Sequence, residues 1–209
     1  MALLAEKEFR DRWSKLHGGA EMTAVVGGWL KISYTAARIC YRLKITPDVL
    51  TFLGLAAAIA CGVISPSAWA AAFLVLSLIA DGIDGSVAIV QGGESDWGAA
   101  KDSITDRIAE FAWGVALYQL GVPLVLVCTL VILASVQEYA RARLGGIGIH
   151  QLGVVTPAER PVRAIAVIIA ILASAIFGGN SATIVAIALT AMQTFSVLQV
   201  LRVTYQQLR

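Results

Sequence analysis

Residues 68–88 of the chain read AWAAAFLVLSLIADGIDGSVA. The first thirteen of these residues carry no charge, and a transmembrane helix needs about 20 mostly apolar residues. Two aspartates, Asp81 and Asp84, nevertheless follow within the same stretch. A carboxylate within a membrane-spanning segment costs free energy, and such residues are usually functional. The stretch therefore predicts a membrane-spanning helix with a functional site at one end.

The rest of the chain repeats this apolar character. Hydrophobic residues make up 58% of the 209 residues and charged residues 14%, whereas a soluble domain carries about 25% charged residues. This composition excludes a disordered chain, a disulfide-rich secreted scaffold and an ordinary soluble enzyme. We predict an all-α membrane protein with six transmembrane helices, at residues 49–64, 68–88, 103–118, 122–137, 162–177 and 182–201.

Charged residues fall in alternate connections between these stretches. The segments 89–102 and 138–163 carry them, as do both chain ends, whereas the other three connections are uncharged. The positive-inside rule then places both termini and the two charged connections in the cytoplasm. The site at the end of the second span would face the cytoplasm, in a multi-pass protein of the plasma membrane.

The amino-terminal part differs from the rest. Residues 1–20 are charged and lack the apolar region of a signal peptide, and residues 3–16 could form a short polar helix. Apolar side chains then recur at helical spacing with basic ones between them, as in a helix that lies in the membrane interface. We predict a polar extension at 1–20, an amphipathic juxtamembrane helix at 21–45 and a six-helix transmembrane catalytic domain at 46–209.

Four aspartates flank the first charged connection. Asp81 and Asp84 are spaced i, i+3, and Asp102 and Asp106 are spaced i, i+4, so each pair lies on one helix face. Four carboxylates in a low dielectric repel one another unless cations offset the repulsion. Oxygen ligands in that number select Mg²⁺, Mn²⁺ or Ca²⁺. The pattern predicts an acidic, metal-binding cleft.

Small residues and a fifth acid accompany these aspartates. Gly82, Gly85 and Gly98 remove side-chain bulk beside the carboxylates, and we expect them to leave room for the backbone to approach a ligand. Glu110 lies one helical turn deeper than Asp106. It is either a partner of the aspartates or a structural carboxylate, and the sequence leaves both interpretations open.

The stretch DGIDGSVAIVQGGESDWGAAKDSITD, residues 81–106, resembles the signature of the CDP-alcohol phosphotransferases, also called CDP-alcohol phosphatidyltransferases. The chain departs from that signature at Ile89, where the family usually has arginine. The segment ITPDVLT at 45–51 also resembles the start of the family's first span. Seven signature positions match in both identity and spacing: Asp81, Asp84, Gly85, Ala88, Gly98, Asp102 and Asp106.

The resemblance implies an enzyme that transfers a phosphatidyl group from CDP-diacylglycerol to an alcohol and releases CMP. Asp81, Asp84 and Asp102 would hold two ions of Mg²⁺ or Mn²⁺, while Asp106 would share in metal binding and act as the general base. A homodimer embedded in membrane lipid is implied as well. The donor-binding residues would be Asp48, Thr51, Gly85, Ala88 and Gly98.

Two basic segments resemble those of bacterial phosphatidylinositol phosphate synthases, namely EYARAR at 138–143 and TPAERPVR at 156–163. A phosphorylated acceptor such as inositol phosphate needs a cationic pocket, and the planar guanidinium of arginine suits phosphate. Arginines at cytoplasmic helix ends also serve topology alone, and glycerol 3-phosphate would need the same charge. The candidates for the acceptor phosphate are Arg141, Arg160, Arg163 and Arg202.

Two functions of other classes stay open. A cation transporter could use the aspartates as an ion pathway, although they cluster at one end of the spans and no chain of polar residues continues to the other side. A non-catalytic nucleotide or lipid binder would tolerate the departure at Ile89. The net charge of +2 argues against a nucleic-acid partner.

Overall fold

The computed structural model describes residues 4–16, 23–148 and 155–209, and the secondary structure in these ranges is helical. The predicted all-α class is confirmed. Residues 17–22, where the polar extension would join the amphipathic helix, lie outside the described residues. The helices are α1 (Glu6–Leu16), α2 (Ala24–Arg42), α3 (Pro47–Ile64), α4 (Trp69–Gln91), α5 (Asp96–Gln119), α6 (Leu124–Gly146), α7 (Arg160–Phe177) and α8 (Ser181–Gln207).

Among the described helices, α3, α4, α6, α7 and α8 are long and apolar enough to cross a membrane. The chain is therefore a multi-pass membrane protein. Helix α5 has 24 residues, which is also sufficient in length, but six of them are charged. Charged side chains in the middle of a span are expensive, so the prediction of a sixth span at α5 stays a prediction.

Several helices run beyond the apolar stretches that predict them. Helix α5 begins at Asp96 and α6 continues to Gly146, so part of each predicted charged connection is helical. Glu138 and Arg141 on α6 form an i, i+3 ion pair at 3.7 Å, and such pairs stabilise helices in water. The loss of apolar character in the sequence therefore does not mark the end of either helix.

The chain divides into two compact units. The first comprises Met1–Ala56 and Leu76–Asp106, and the second comprises Ala57–Val75 and Arg107–Arg209. In the first unit α1 packs against α2. The ring centroids of Phe9 and Tyr34 lie 5.3 Å apart, and the Tyr34 hydroxyl donates a hydrogen bond to the Leu4 carbonyl at 2.7 Å. The short helix predicted within residues 3–16 is confirmed as α1.

An apolar cluster joins α1, α2 and the end of α4 in the first unit. Its members are Phe9, Leu30, Tyr34, Ala37, Val87, Ile89 and Val90. Ile89, where the chain departs from the family signature, is 3% exposed. This position therefore serves packing against the amino-terminal helix.

Two glycines let the neighbouring helices approach α3. In the first unit, a Cβ atom at Gly54 would lie 3.3 Å from the Ser77 carbonyl oxygen of α4. In the second unit, a Cβ atom at Gly62 would lie 2.8 Å from the Ala112 carbonyl oxygen of α5. The Gln119 side chain also donates to the Gly62 carbonyl at 2.6 Å. A side chain at residue 62 would therefore force α3 and α5 apart.

In the second unit α8 packs against both α6 and α7. A polar pair lies within this packing, because Gln193 donates to the side-chain oxygen of Gln137 at 2.8 Å and both residues are fully buried. Buried amides of this kind are tolerated when they are hydrogen-bonded. The pair fixes α8 against α6.

Candidate active site

Three carboxylates converge in the first unit. Asp81 on α4 and Asp102 and Asp106 on α5 each offer one oxygen, and these oxygens lie within 4.8 Å of one another. The i, i+4 spacing on α5 places its two aspartates on one helix face. All three side chains are half-buried. We refer to Asp81, Asp102 and Asp106 as the acidic group.

The acidic group suits a divalent cation. Two oxygens on opposite sides of a Mg²⁺ ion lie about 4.2 Å apart, because each metal–oxygen bond is about 2.1 Å long. Carboxylates this close together disfavour the charged state unless a cation offsets their repulsion. Hard oxygen ligands select Mg²⁺ or Mn²⁺ over softer metals. The donor set therefore fits the metal chemistry that the sequence predicts.

Asp84, the fourth predicted ligand, lies outside the acidic group. Its side chain is buried, and its two oxygens accept hydrogen bonds from the Thr51 hydroxyl and from the Gly85 N–H, each at 2.6 Å. Thr51 is itself buried on α3. The structure thus brings together three of the four predicted ligands, while Asp84 connects α4 to α3. The predicted role of Asp84 in metal binding stays a prediction.

The residues predicted to bind the donor lie on α3, α4 and α5 in the first unit. Asp48, in the first turn of α3, accepts a hydrogen bond from the Lys101 ammonium. Gly85 is exposed, and a Cβ atom there would meet nothing within 4 Å. Ala88 is half-buried. The Gly98 N–H donates to the Ser95 hydroxyl at 3.0 Å, at the start of α5.

Gly82 differs from Gly85. A Cβ atom at Gly82 would lie 2.8 Å from the indole ring of Trp29 on α2. The expectation that this glycine leaves room for a ligand is wrong, because the tryptophan already occupies the space. Of Gly82 and Gly85, only Gly85 leaves open space for a ligand.

The second unit holds a network of arginines and glutamates. Arg163 is 4% exposed and donates to Glu110 at 2.6 and 3.0 Å, to Glu138 at 3.1 Å and to the Ala158 carbonyl at 2.7 Å. Glu110 also accepts from Arg107 at 2.8 Å. Of the two interpretations that the sequence leaves open for Glu110, these contacts favour the structural carboxylate.

Arg141 faces Glu159, the residue that precedes α7. Its two terminal nitrogens donate to the two carboxylate oxygens at 2.7 and 2.6 Å, which is the bidentate geometry of strong pairs. Thr156 donates to the same carboxylate through its N–H at 2.7 Å and its hydroxyl at 2.8 Å. Burial alone would raise the pKa of Glu159, but hydrogen bonds from Arg141 and Thr156 outweigh it and lower the pKa to about 2.

The turn before α7 is anchored to the interior of the second unit. The Thr156 hydroxyl accepts from Gln137 at 3.2 Å, and the Ala158 N–H donates to the Ser196 hydroxyl of α8 at 3.0 Å. Sequence reasoning missed the contribution of Gln137 and Glu159. The available signal was an amide within an apolar span and an acid amid the arginines.

The four predicted acceptor arginines differ in their surroundings. Arg141 and Arg163 share Glu138, at 3.7 and 3.1 Å, and so belong to one network. Arg160 is half-buried, and its guanidinium lies 5.4 Å from the centroid of the Trp113 ring, which is a cation–π contact. Arg202 is exposed on α8.

Comparison with known proteins bears on these arrangements. The phosphatidylinositol phosphate synthase of Mycolicibacterium smegmatis is 32% identical over 153 residues, which cover 68% of this chain and 68% of that protein. The archaetidylinositol phosphate synthase of Aeropyrum pernix is 32% identical over 173 residues, which cover 81% of this chain and 88% of that protein.

A crystal structure of the Mycobacterium tuberculosis phosphatidylinositol phosphate synthase with CDP-DAG bound has the same fold. Its TM-score is 0.72 at 24% identity, and the match covers 84% of this chain and 94% of that one. The family model described as CDP-alcohol phosphatidyltransferase matches residues 44–199. Because that match takes in the acidic group, Asp84 and the arginine network, the chain belongs to the CDP-alcohol phosphatidyltransferase family.

Proposed function

We propose that the chain transfers a phosphatidyl group from CDP-diacylglycerol to an inositol phosphate, forming a phosphatidylinositol phosphate and releasing CMP. As a member of its family, the chain is a metal-dependent phosphatidyltransferase of phospholipid synthesis. The observation that carries the proposal is the convergence of Asp81, Asp102 and Asp106 within 4.8 Å. The names of the relatives, which are inositol phosphate lipid synthases, support the choice of acceptor.

The aspartates divide the chemistry between them. Asp81, Asp102 and Asp106, together with Asp84, would hold two ions of Mg²⁺ or Mn²⁺, which would stabilise charge on the attacking and leaving oxygens. Asp106 would accept the proton of the acceptor hydroxyl, as a general base within hydrogen-bond reach does. The hydroxyl oxygen then bonds to the phosphorus that carries the diacylglycerol. The bond from that phosphorus to the CMP oxygen breaks, and CMP leaves.

The arginines of the second unit would bind the phosphate of the acceptor. The exposure of Arg202 and the partial exposure of Arg160 support direct contact with the acceptor. Arg141 presents a bidentate donor pair that is held by Glu159 in this structure. Arg163 is buried and donates to two glutamates, which supports a role in positioning Arg141 through their shared partner Glu138.

The donor would lie along α3, α4 and the start of α5. The Thr51–Asp84 hydrogen bond and the open space at Gly85 support contacts from Thr51, Gly85 and Ala88, with Asp48 and Gly98 at the helix starts. We also propose that both termini and the active site face the cytoplasm from the plasma membrane. The working unit would be a homodimer.

The test is CMP release by purified protein in detergent with CDP-diacylglycerol and either Mg²⁺ or Mn²⁺. The acceptors are inositol phosphate, glycerol 3-phosphate, inositol and serine. We expect release that requires both the metal and inositol phosphate. Asp106→Asn should lower the rate about 100-fold or more, because a general base contributes at least that much.

Asp11→Asn is the matched control, since it removes an exposed carboxylate from α1 and should leave the rate unchanged. Release with glycerol 3-phosphate instead would assign a different acceptor. Tight binding of CDP without turnover by any acceptor, in protein that melts cooperatively, would contradict the transferase and support a non-catalytic binder.

A further inference from the structure

The signature stretch contains a single basic side chain. From Asp81 to Asp106 the sequence has six acidic residues and one basic residue, Lys101. The Lys101 side chain is only 13% exposed, and its ammonium forms an ion pair with Asp48 in the first turn of α3. A lysine covered to this degree is held in place, unlike the mobile lysines of a solvated surface.

This ion pair lies next to the acidic group. Lys101 directly precedes Asp102 on α5. Asp48 lies three residues before Thr51, so the two share a face of α3, and Thr51 donates to Asp84 on α4 at 2.6 Å. One face of α3 therefore contacts α5 at Lys101 and α4 at Asp84, which are the two helices that carry the acidic group.

A nucleotide donor needs positive charge at this place. Its pyrophosphate brings further negative charge to two helices that already carry five aspartates, and divalent ions at the acidic group would offset part of this charge. A lysine ammonium can donate a charge-assisted hydrogen bond to a phosphate oxygen. Because Asp48 already restrains the ammonium, less conformational freedom is lost when the phosphate binds.

We propose that Lys101 binds a phosphate oxygen of the nucleotide donor and that Asp48 positions its ammonium for this contact. The ligand class is a pyrophosphate-linked nucleotide. The inference rests on the proposed function, since it assigns a residue to the donor of that reaction. A role for Lys101 as a mere tie between α3 and α5 is the competing explanation.

The experiment compares the binding of CDP and of cytidine, by equilibrium dialysis with labelled ligands, to protein in detergent with Mn²⁺. Lys101→Met keeps a side chain of similar length without the charge. We expect its dissociation constant for CDP to rise about tenfold or more, since hydrogen bonds to charged groups are worth about 1.5–3 kcal/mol. Its affinity for cytidine, which has no phosphate, should stay unchanged.

Two further variants complete the set. Lys101→Arg keeps the charge and should bind CDP more tightly than Lys101→Met does. Lys31→Met removes an equal charge from an exposed position of α2 and should bind CDP as the wild type does.

Three outcomes would overturn the inference. If Lys101→Met binds CDP as tightly as the wild type, Lys101 does not contact the phosphate. If it loses CDP and cytidine affinity equally and melts at a lower temperature, Lys101 only ties the helices together. If the wild type itself does not bind CDP, the proposed function falls as well, so the two failures are distinguishable.

Discussion

The two compact units arrange their carboxylates in opposite ways. The first unit gathers three aspartates within 4.8 Å of one another. The second unit contains three acidic residues in its sequence, and each of them lies within 3.7 Å of an arginine nitrogen. These three are Glu110, Glu138 and Glu159.

This difference separates a group of acids that could hold a cation from acids whose charge is already neutralised by arginines. Buried charges are tolerated when they are paired. Removing one partner leaves the other charge buried and unpaired, which destabilises the fold strongly. Carboxylates that face each other instead favour whatever cation can lie between them. Carboxylates would therefore have the proposed catalytic role in the first unit, whereas those of the second unit form ion pairs.

The largest expected effect comes from the acidic group. Asp102→Asn should lower the transfer rate about 100-fold or more, because bound ions contribute several kcal/mol of charge stabilisation, and should weaken Mn²⁺ binding. It should not lower the melting temperature of the metal-free protein, since it removes one of three neighbouring like charges. Calorimetric titration measures Mn²⁺ binding, and a thermal melt measures the melting temperature. A lower melting temperature with intact Mn²⁺ binding would contradict the contrast between the units.

Arg163→Met probes the opposite case. It leaves Glu110 buried opposite a neutral side chain, and we expect the free energy of unfolding to fall by about 3 kcal/mol. Arg107→Met is the matched control, because Arg107 binds the same glutamate but its side chain is 26% exposed, where pairs are worth about 1 kcal/mol or less. Denaturation in mixed micelles measures both variants. Equal small losses would mean that Glu110 does not depend on Arg163.

The sequence predicts the first unit's site better than the second unit's network. Asp102 and Asp106 lie on one helix, so their spacing fixes a common face. An aspartate within an apolar span also stands out in the sequence, because a charged side chain in a membrane costs free energy. Arg141 and Glu159 are 18 residues apart and do not share a helix. Helical periodicity therefore does not predict their contact. The hydrogen bond between Asp84 and Thr51 could not be predicted for the same reason, because the two residues are 33 positions apart on different helices.

Ile89→Arg would place an arginine in the first unit, at the position where the family signature has one. Ile89 packs with Phe9 and Tyr34 in the apolar cluster, so the arginine must displace this packing or extend its head to solvent. We expect a loss of about 2 kcal/mol in the free energy of unfolding and no gain in turnover.

Thermal melts and CMP release measure both effects, with Ile89→Val as the conservative control. Proteolysis of α1 should also become faster in Ile89→Arg, because Phe9 of α1 belongs to the disturbed cluster. An unchanged melting temperature together with faster turnover would show that the first unit lacks an arginine that it could use.

The smallest effect is a pH dependence in the second unit. The pKa of Glu159 is lowered from 4.5 to about 2, so its charge stabilises the fold above the unfolded pKa, and this stability is lost as the pH falls from about 5 toward 2. The melting temperatures of wild type and Glu159→Gln should differ by a constant amount from pH 8 to 6 and converge below pH 5. A difference that is undiminished at pH 2 would mean that hydrogen bonds from Thr156 hold this turn without the charge. Charge pairing would then no longer be what distinguishes the second unit from the first.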